Sequence, residues 1–158
     1  MLEKILKLGN PRLYQKSEKV LPEEVNALIP SVREMHELVV AFRNRYGAGR
    51  AISAPQTGLM KRVICFNVER PVTLINPTLS DLSEEMFELW DDCFSFPDLL
   101  VKVRRHKSCQ ITFRDENWEE HSWDLTDDLS ELFQHEYDHL EGILATQRAI
   151  DNKSFKFR

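Results

Sequence analysis

Apolar residues return along the chain in two rhythms, and these lay out its elements before any chemistry is considered. Between Pro22 and Arg45, Val25, Leu28, Ile29, Val32, Met35, Val39 and Phe42 recur every three or four positions. That is the spacing of a helix with one buried face. The segment opens on "LPEE", whose acids suit the positive end of the helix dipole, and stops at "RYGAG", where glycine permits a sharp turn. Five short runs follow at 62–68, 73–79, 85–90, 99–105 and 109–115, rich in β-branched and aromatic residues and bounded by Pro, Asn and Asp. They predict strands. The stretch "RDENWEEHSW" lacks the glycine that commonly tightens a hairpin, so a loose loop is expected there. A second helix is predicted from Thr126 as N-cap, with Asp127 and Asp128 in its first turn, running through "DLSELFQHEYDHLEGILA". Its expected buried stripe is Leu129, Phe133, Leu140 and Leu144. The order helix, strands, helix predicts an α+β fold, a single domain over residues 1–158, with the last helix packed into a curved antiparallel sheet.

Composition narrows the class. The 158 residues are enough to bury a core in one domain. A net charge of -5 argues against a dedicated nucleic-acid binder. No apolar run of about 18 residues predicts a membrane span, and "MLEKILKLGNPRLYQKSEKV" has no stretch suited to a secretory signal. Three cysteines are too few and odd for a disulfide framework, and a reducing, cytoplasmic setting is expected. Cys65 and Cys109 lie inside strand-like runs and read as small buried hydrophobes.

The chemistry concentrates in "QHEYDHLEG", residues 134–142. His135 and His139, four apart, project about 40° from one another on a helix and can reach one ion, with Glu136 beside them as general base. A pair of surface histidines in a charged helix is the alternative. Two ligands are not a catalytic site, and the third must be found elsewhere. After Glu141 the chain has no glutamate or histidine; Ala145 stands where a longer metalloprotease pattern places its third histidine, and Asp151 is the one acid left. Upstream, Cys93 sits in the polar, turn-prone "LWDDCFSFPD" between two strand-like runs. One thiolate and two imidazoles leave a fourth position open, which is a catalytic rather than a structural arrangement.

With those residues in view, the chain resembles peptide deformylases over nearly its whole length. The family's GxGLAAPQ is similar to "GRAISAPQ" (49–56), its EGCLS to "DDCFS" (91–95), and its QHExDHLxG is matched in full by "QHEYDHLEG". "RVICFNV" followed by "TLINPTL" resembles the family's strand pair with an "INP" turn. The resemblance implies that Cys93, His135 and His139 bind one divalent ion, iron(II) in the cell, with zinc, nickel or cobalt as alternatives. It implies that Glu136 moves the proton from the attacking water to the leaving amine. The side-chain amide of Gln56 and the backbone N–H of Phe94 would hold the formyl oxygen. Ser95, Pro97 and Gly142 are implied as supports, and Asp91 and Arg105 as a pair behind the metal ligands. Gly49, Arg50 and Ala51 would line the substrate groove. The implied activity is removal of the N-formyl group from the methionine that begins nascent peptides, releasing formate.

Three positions depart from the family pattern. Ala51 replaces a glycine, Asp92 replaces the glycine before the implied cysteine ligand, and Arg50 stands where an aliphatic residue is usual. Asp92 is expected to tolerate a left-handed turn, with a carboxylate able to point at the metal pocket. Arg50 and Asp92 are expected either to be solvated, even paired, or to reshape the pocket. The second case leaves two alternatives: an amidase of the same fold acting on another N-formyl or N-acyl substrate, or a weakly active metal-binding homologue. His36, His106 and His121 are expected in solvated or capping roles. The basic tail "NKSFKFR" is expected to fray, with a transient ribosome contact as its alternative.

Overall fold

A computed structural model describes residues Met1–Arg158. A short 3-10 turn, Pro22–Glu24, leads into helix α1, Val25–Tyr46, which ends at Gly47 in the left-handed conformation, as the sequence predicts. The buried side of α1 carries Val25, Val32, Met35, Leu38, Val39 and Phe42. His36 corrects its expectation: it is buried on that same side, its Nε2 3.0 Å from Thr73 Oγ1.

Eight strands follow: β1 Ala51–Ser53, β2 Val63–Asn67, β3 Pro71–Ser80, β4 Met86–Asp91, β5 Leu99–His106, β6 Ser108–Arg114, β7 Glu120–Thr126 and β8 Phe155–Phe157. Between β7 and β8 lies helix α2, Asp127–Leu140. All strand pairs are antiparallel, in a five-stranded sheet ordered β1-β2-β3-β6-β7 and a three-stranded sheet ordered β4-β5-β8. The pairing of β3 with β6 shifts register between Ile75 and Thr78, where Asn76 takes a positive φ. The Asn76 side chain is tied to Val20 through both the main-chain N–H and C=O of that residue, which anchors the N-terminal segment to the sheet.

Five predicted strands are found within two residues of their expected ends. Strands β1, β7 and β8 are additions. The expected loose loop is instead the turn of the β6–β7 hairpin, where Asp115 Oδ1 accepts from the N–H groups of Asn117 and Glu119. The tail does not fray but pairs with β5 as β8, although Phe157 is 84% exposed.

Helix α2 packs against strands of both sheets. Its burial therefore extends beyond one stripe: Ser130, Glu131, Leu132, Phe133, Gln134, His135, Glu136, Asp138, His139 and Leu140 are all buried. Two expectations change with it. Leu129 is 37% exposed, and the helix ends at Leu140, so that Leu144 is buried from the following loop. Three apolar clusters result. One joins α1 to Ile52, Val63, Cys65 and Phe94; a second joins Leu132, Phe133 and Leu140 to the larger sheet; a third gathers Cys93, Phe96, Val101, Val103 and Leu144. Cys65 and Cys109 are buried, as expected of small hydrophobes, and burial raises both thiols above their ordinary range.

Candidate metal centre

The buried helix α2 and the turn after β4 converge on one point. Nε2 of His139 lies 3.2 Å from Nε2 of His135 and 3.3 Å from Sγ of Cys93. The three donor atoms all lie within 4.8 Å of one another, and all three residues are buried. A tetrahedral ion with nitrogen at about 2.0 Å and sulfur at about 2.3 Å holds its ligands roughly 3.3–3.6 Å apart. Both separations come within about 0.2 Å of that spacing.

The partners of the ligands fit as well. Asp91, the last residue of β4, places Oδ2 2.7 Å from Nδ1 of His135. With the proton on Nδ1, the Nε2 lone pair is left for an ion. Asp91 is also bonded to Arg105 Nη2 at 3.2 Å, and Arg105 Nη1 reaches Asp138 at 2.7 Å. Burial alone would raise Asp91, but His135 and Arg105 hold it below the usual carboxylate range. Burial works against a charge on His135, yet Asp91 and Cys93 raise it well above an ordinary imidazole. His139 is held well below, by burial and by the neighbouring His135.

Glu136 is one helical step from His135 and buried. Ser53 Oγ donates to its Oε1 at 2.8 Å. Burial, with Asp91 adding, raises this carboxyl against the opposing effects of His135 and Ser53. Gln56 closes a 3-10 turn after β1: its Oε1 accepts from the Ser53 N–H at 2.9 Å, and its Nε2 donates to Ser95 Oγ at 3.2 Å and Cys93 Sγ at 3.4 Å. The main-chain N–H of Phe94 makes no hydrogen bond within the protein. Its ring stacks on Phe42 with centroids 3.8 Å apart. Gly49 passes beside both rings with φ +139°, where a Cβ would meet them at 3.0–3.1 Å. Gly142, φ +74°, closes the motif against the Tyr14 carbonyl, where a Cβ would come within 2.6 Å.

The departing residues take definite places. Ala51 and Asp92 both have negative φ, so neither position calls on glycine's left-handed freedom. Asp92 is half exposed and its carboxylate pairs with Arg158, not with any metal ligand. Arg50 is paired too, but with Asp128 and Glu131 rather than Asp92. Four contributors escaped the sequence reading: Ser53, Asp138, Glu131 and Arg158. Asp138 alone carried a signal, since it lies inside "HEYDH" one turn from His135.

The cavity over these groups is lined by Cys93, His135, Glu136, Phe94, Gly49 and Arg50 among others. A polypeptide deformylase family model matches residues 2–155. The chain belongs to the polypeptide deformylase family. Its relatives include the peptide deformylase of Leptospira biflexa, 31% identical over 99% of this chain and 92% of the relative. That of Treponema pallidum is 36% identical over 92% and 86%. Among solved structures, the peptide deformylase of Synechococcus elongatus in complex with actinonin superposes with a TM-score of 0.86 at 26% identity. It covers 95% of this chain and 80% of that one. The Thermotoga maritima enzyme gives 0.84 at 26% identity, covering 93% and 97%. The deformylase fold is thus present from the first helix to the last, and the family's three motifs meet at this cavity. No helix of the chain is long and apolar enough to cross a membrane.

Proposed function

We propose that the chain is a metal-dependent hydrolase that cleaves the N-formyl group from formylated peptides, with formyl-methionyl nascent chains as the family's substrate. The observation that carries this reading is the convergence of Cys93, His135 and His139 beside the buried carboxyl of Glu136, in one cavity. The three residues would hold one divalent ion, iron(II) in the cell, with zinc, nickel or cobalt able to take the same ligands. When bound, the ion supplies a Lewis acid that polarises the formyl carbonyl and makes water acidic enough to attack near neutral pH.

The chain's own residues do the rest. Glu136, raised by burial and held by Ser53, takes the proton from the attacking water and gives it to the departing amine. Water thereby adds hydroxyl to the formyl carbon, the C–N bond breaks, and formate and a free amine leave. The free N–H of Phe94 and the Gln56 amide, which now donates to Ser95 and Cys93, would serve as donors to the developing oxyanion, each worth roughly 3 kcal/mol. Asp91 fixes His135, and Arg105 holds Asp91 in place. A cytoplasmic setting accords with the three free, buried cysteines. A transient ribosome contact would fall to the tail strand, where Lys156 already lies over Trp90 and Arg158 is held by Asp92.

The test is formate release from formyl-Met-Ala-Ser by iron- or nickel-loaded protein, beside Glu136→Ala with matched metal content. Release by the wild type and a loss of at least about a hundredfold in the variant are expected. Equal release by both would remove Glu136 from the mechanism; release by neither would overturn the reading.

A further inference from the structure

The cavity over the metal ligands has a volume of about 160 Å³, and part of its wall is ionic. Arg50 and Glu131 both line it, with Arg50 Nη2 3.0 Å from Glu131 Oε1. Asp128, also on α2, takes Arg50 Nη1 at 3.1 Å. The Glu131 side chain is 11% exposed, and its second oxygen, Oε2, makes no hydrogen bond within the protein. Two carboxylates therefore face one guanidinium. Two other lining carboxylates are matched, Asp92 by Arg158 and Asp91 by Arg105 and His135, while Glu136, bonded through Oε1 to Ser53, is the carboxyl assigned to proton transfer. The remainder of the lining includes Ala51, Leu132, Phe94 and Pro97, which offer no side-chain acceptor.

This wall bears on substrate choice. A formyl group sits on the amine of the residue to be freed, so that residue's side chain starts two bonds from the cleaved amide. It must be housed by the cavity that holds the reacting carbonyl. A methionine thioether laid over Glu131 would take Oε2 from water and return no hydrogen bond, a one-sided loss. A side chain ending in N–H would satisfy that oxygen, and a cationic one would also answer the surplus negative charge.

Resting on the deformylase reading above, we propose that this cavity favours formylated residues whose side chain ends in an N–H donor, lysine and glutamine above methionine, with Glu131 as the specificity-determining residue and Arg50 as its positioning partner. Formyl-methionyl peptides remain substrates but not the preferred ones.

The experiment is kcat/KM for formyl-X-Ala-Ser peptides with X = Met, Leu, Gln, Lys and Glu at pH 8. It compares metal-replete wild type with the double variant Arg50→Leu/Glu131→Leu. The expected wild-type order places Lys and Gln about tenfold above Met, with Glu last, and the double variant reverses it in favour of Met and Leu. Met or Leu as the best wild-type substrate would overturn the inference while leaving the deformylase reading intact. Glu as the best would show Arg50, not Glu131, meeting the side chain, and would overturn it too. Formate from no peptide at all would remove the deformylase reading itself, and this inference with it. The wild-type ranking decides the matter even where the double variant fails to fold.

Discussion

Asp91 accepts a hydrogen bond from His135, Oδ2 to Nδ1 at 2.7 Å, and that contact decides which nitrogen of the imidazole faces Cys93 and His139. A strand end and a helix interior are joined here, so the ligand's orientation is set by the packing of α2 on the smaller sheet. Asp91→Asn keeps the shape but removes the charge shared by His135 and Arg105. It is expected to weaken metal binding by about tenfold, within the range typical of groups behind a ligand. Competition with a chelator measures this, and an unchanged affinity would contradict the orienting role.

Arg105 sits between two acids, and its removal strands them unequally. Asp138 would keep Arg148, at 2.6 and 3.0 Å, whereas Asp91 would lose its only guanidinium. Arg105→Ala is expected to destabilise by about 3–5 kcal/mol, the usual result of leaving a buried charge unpaired. Arg148, 44% exposed, should cost about 1 kcal/mol or less on the same substitution. Urea midpoints of the two variants give the comparison, and equal losses would show that Arg105 is no more than a second surface partner of Asp138.

Glu131 links stability to pH. Burial, with Asp91 adding, pushes its carboxyl up to about 7 against the pull of Arg50. An acid raised on folding contributes stability that is complete below its unfolded value near 4.5 and is lost as pH rises through about 7. Glu131→Gln should therefore be more stable than the wild type at pH 8, by on the order of 1–3 kcal/mol, with the advantage gone by about pH 5. Thermal midpoints across that window test it; a difference that does not change with pH would show that Glu131 titrates as an ordinary exposed glutamate.

Much of this site could be read from residue order because its chemistry is local. His135, Glu136 and His139 occupy one helical turn, and Cys93 stands out as the one cysteine in a polar turn. The five internal strands were visible for the same reason, each carrying its own apolar run. What escaped depended on contacts between distant segments. Strand β7 alternates Trp123 and Leu125 with five polar residues, too weak a pattern to separate from a loop. Strand β8 is exposed throughout and exists by pairing with β5. His36 looked solvated because its partner Thr73 is 37 residues away. The role of Arg50 changed most. Its two acids lie 78 and 81 residues downstream, and only the fold of α2 over β1 brings them together.

The central claim is that Cys93, His135 and His139 hold the one ion on which hydrolysis depends. The most direct test is formate release from a formyl-peptide as metal-stripped protein is titrated with nickel, with Cys93→Ser alongside. Activity rising in proportion to bound metal and levelling at one ion per chain, with little in the variant, is the expected result. Activity that persists after the metal is removed, or that saturates undiminished in Cys93→Ser, would contradict it.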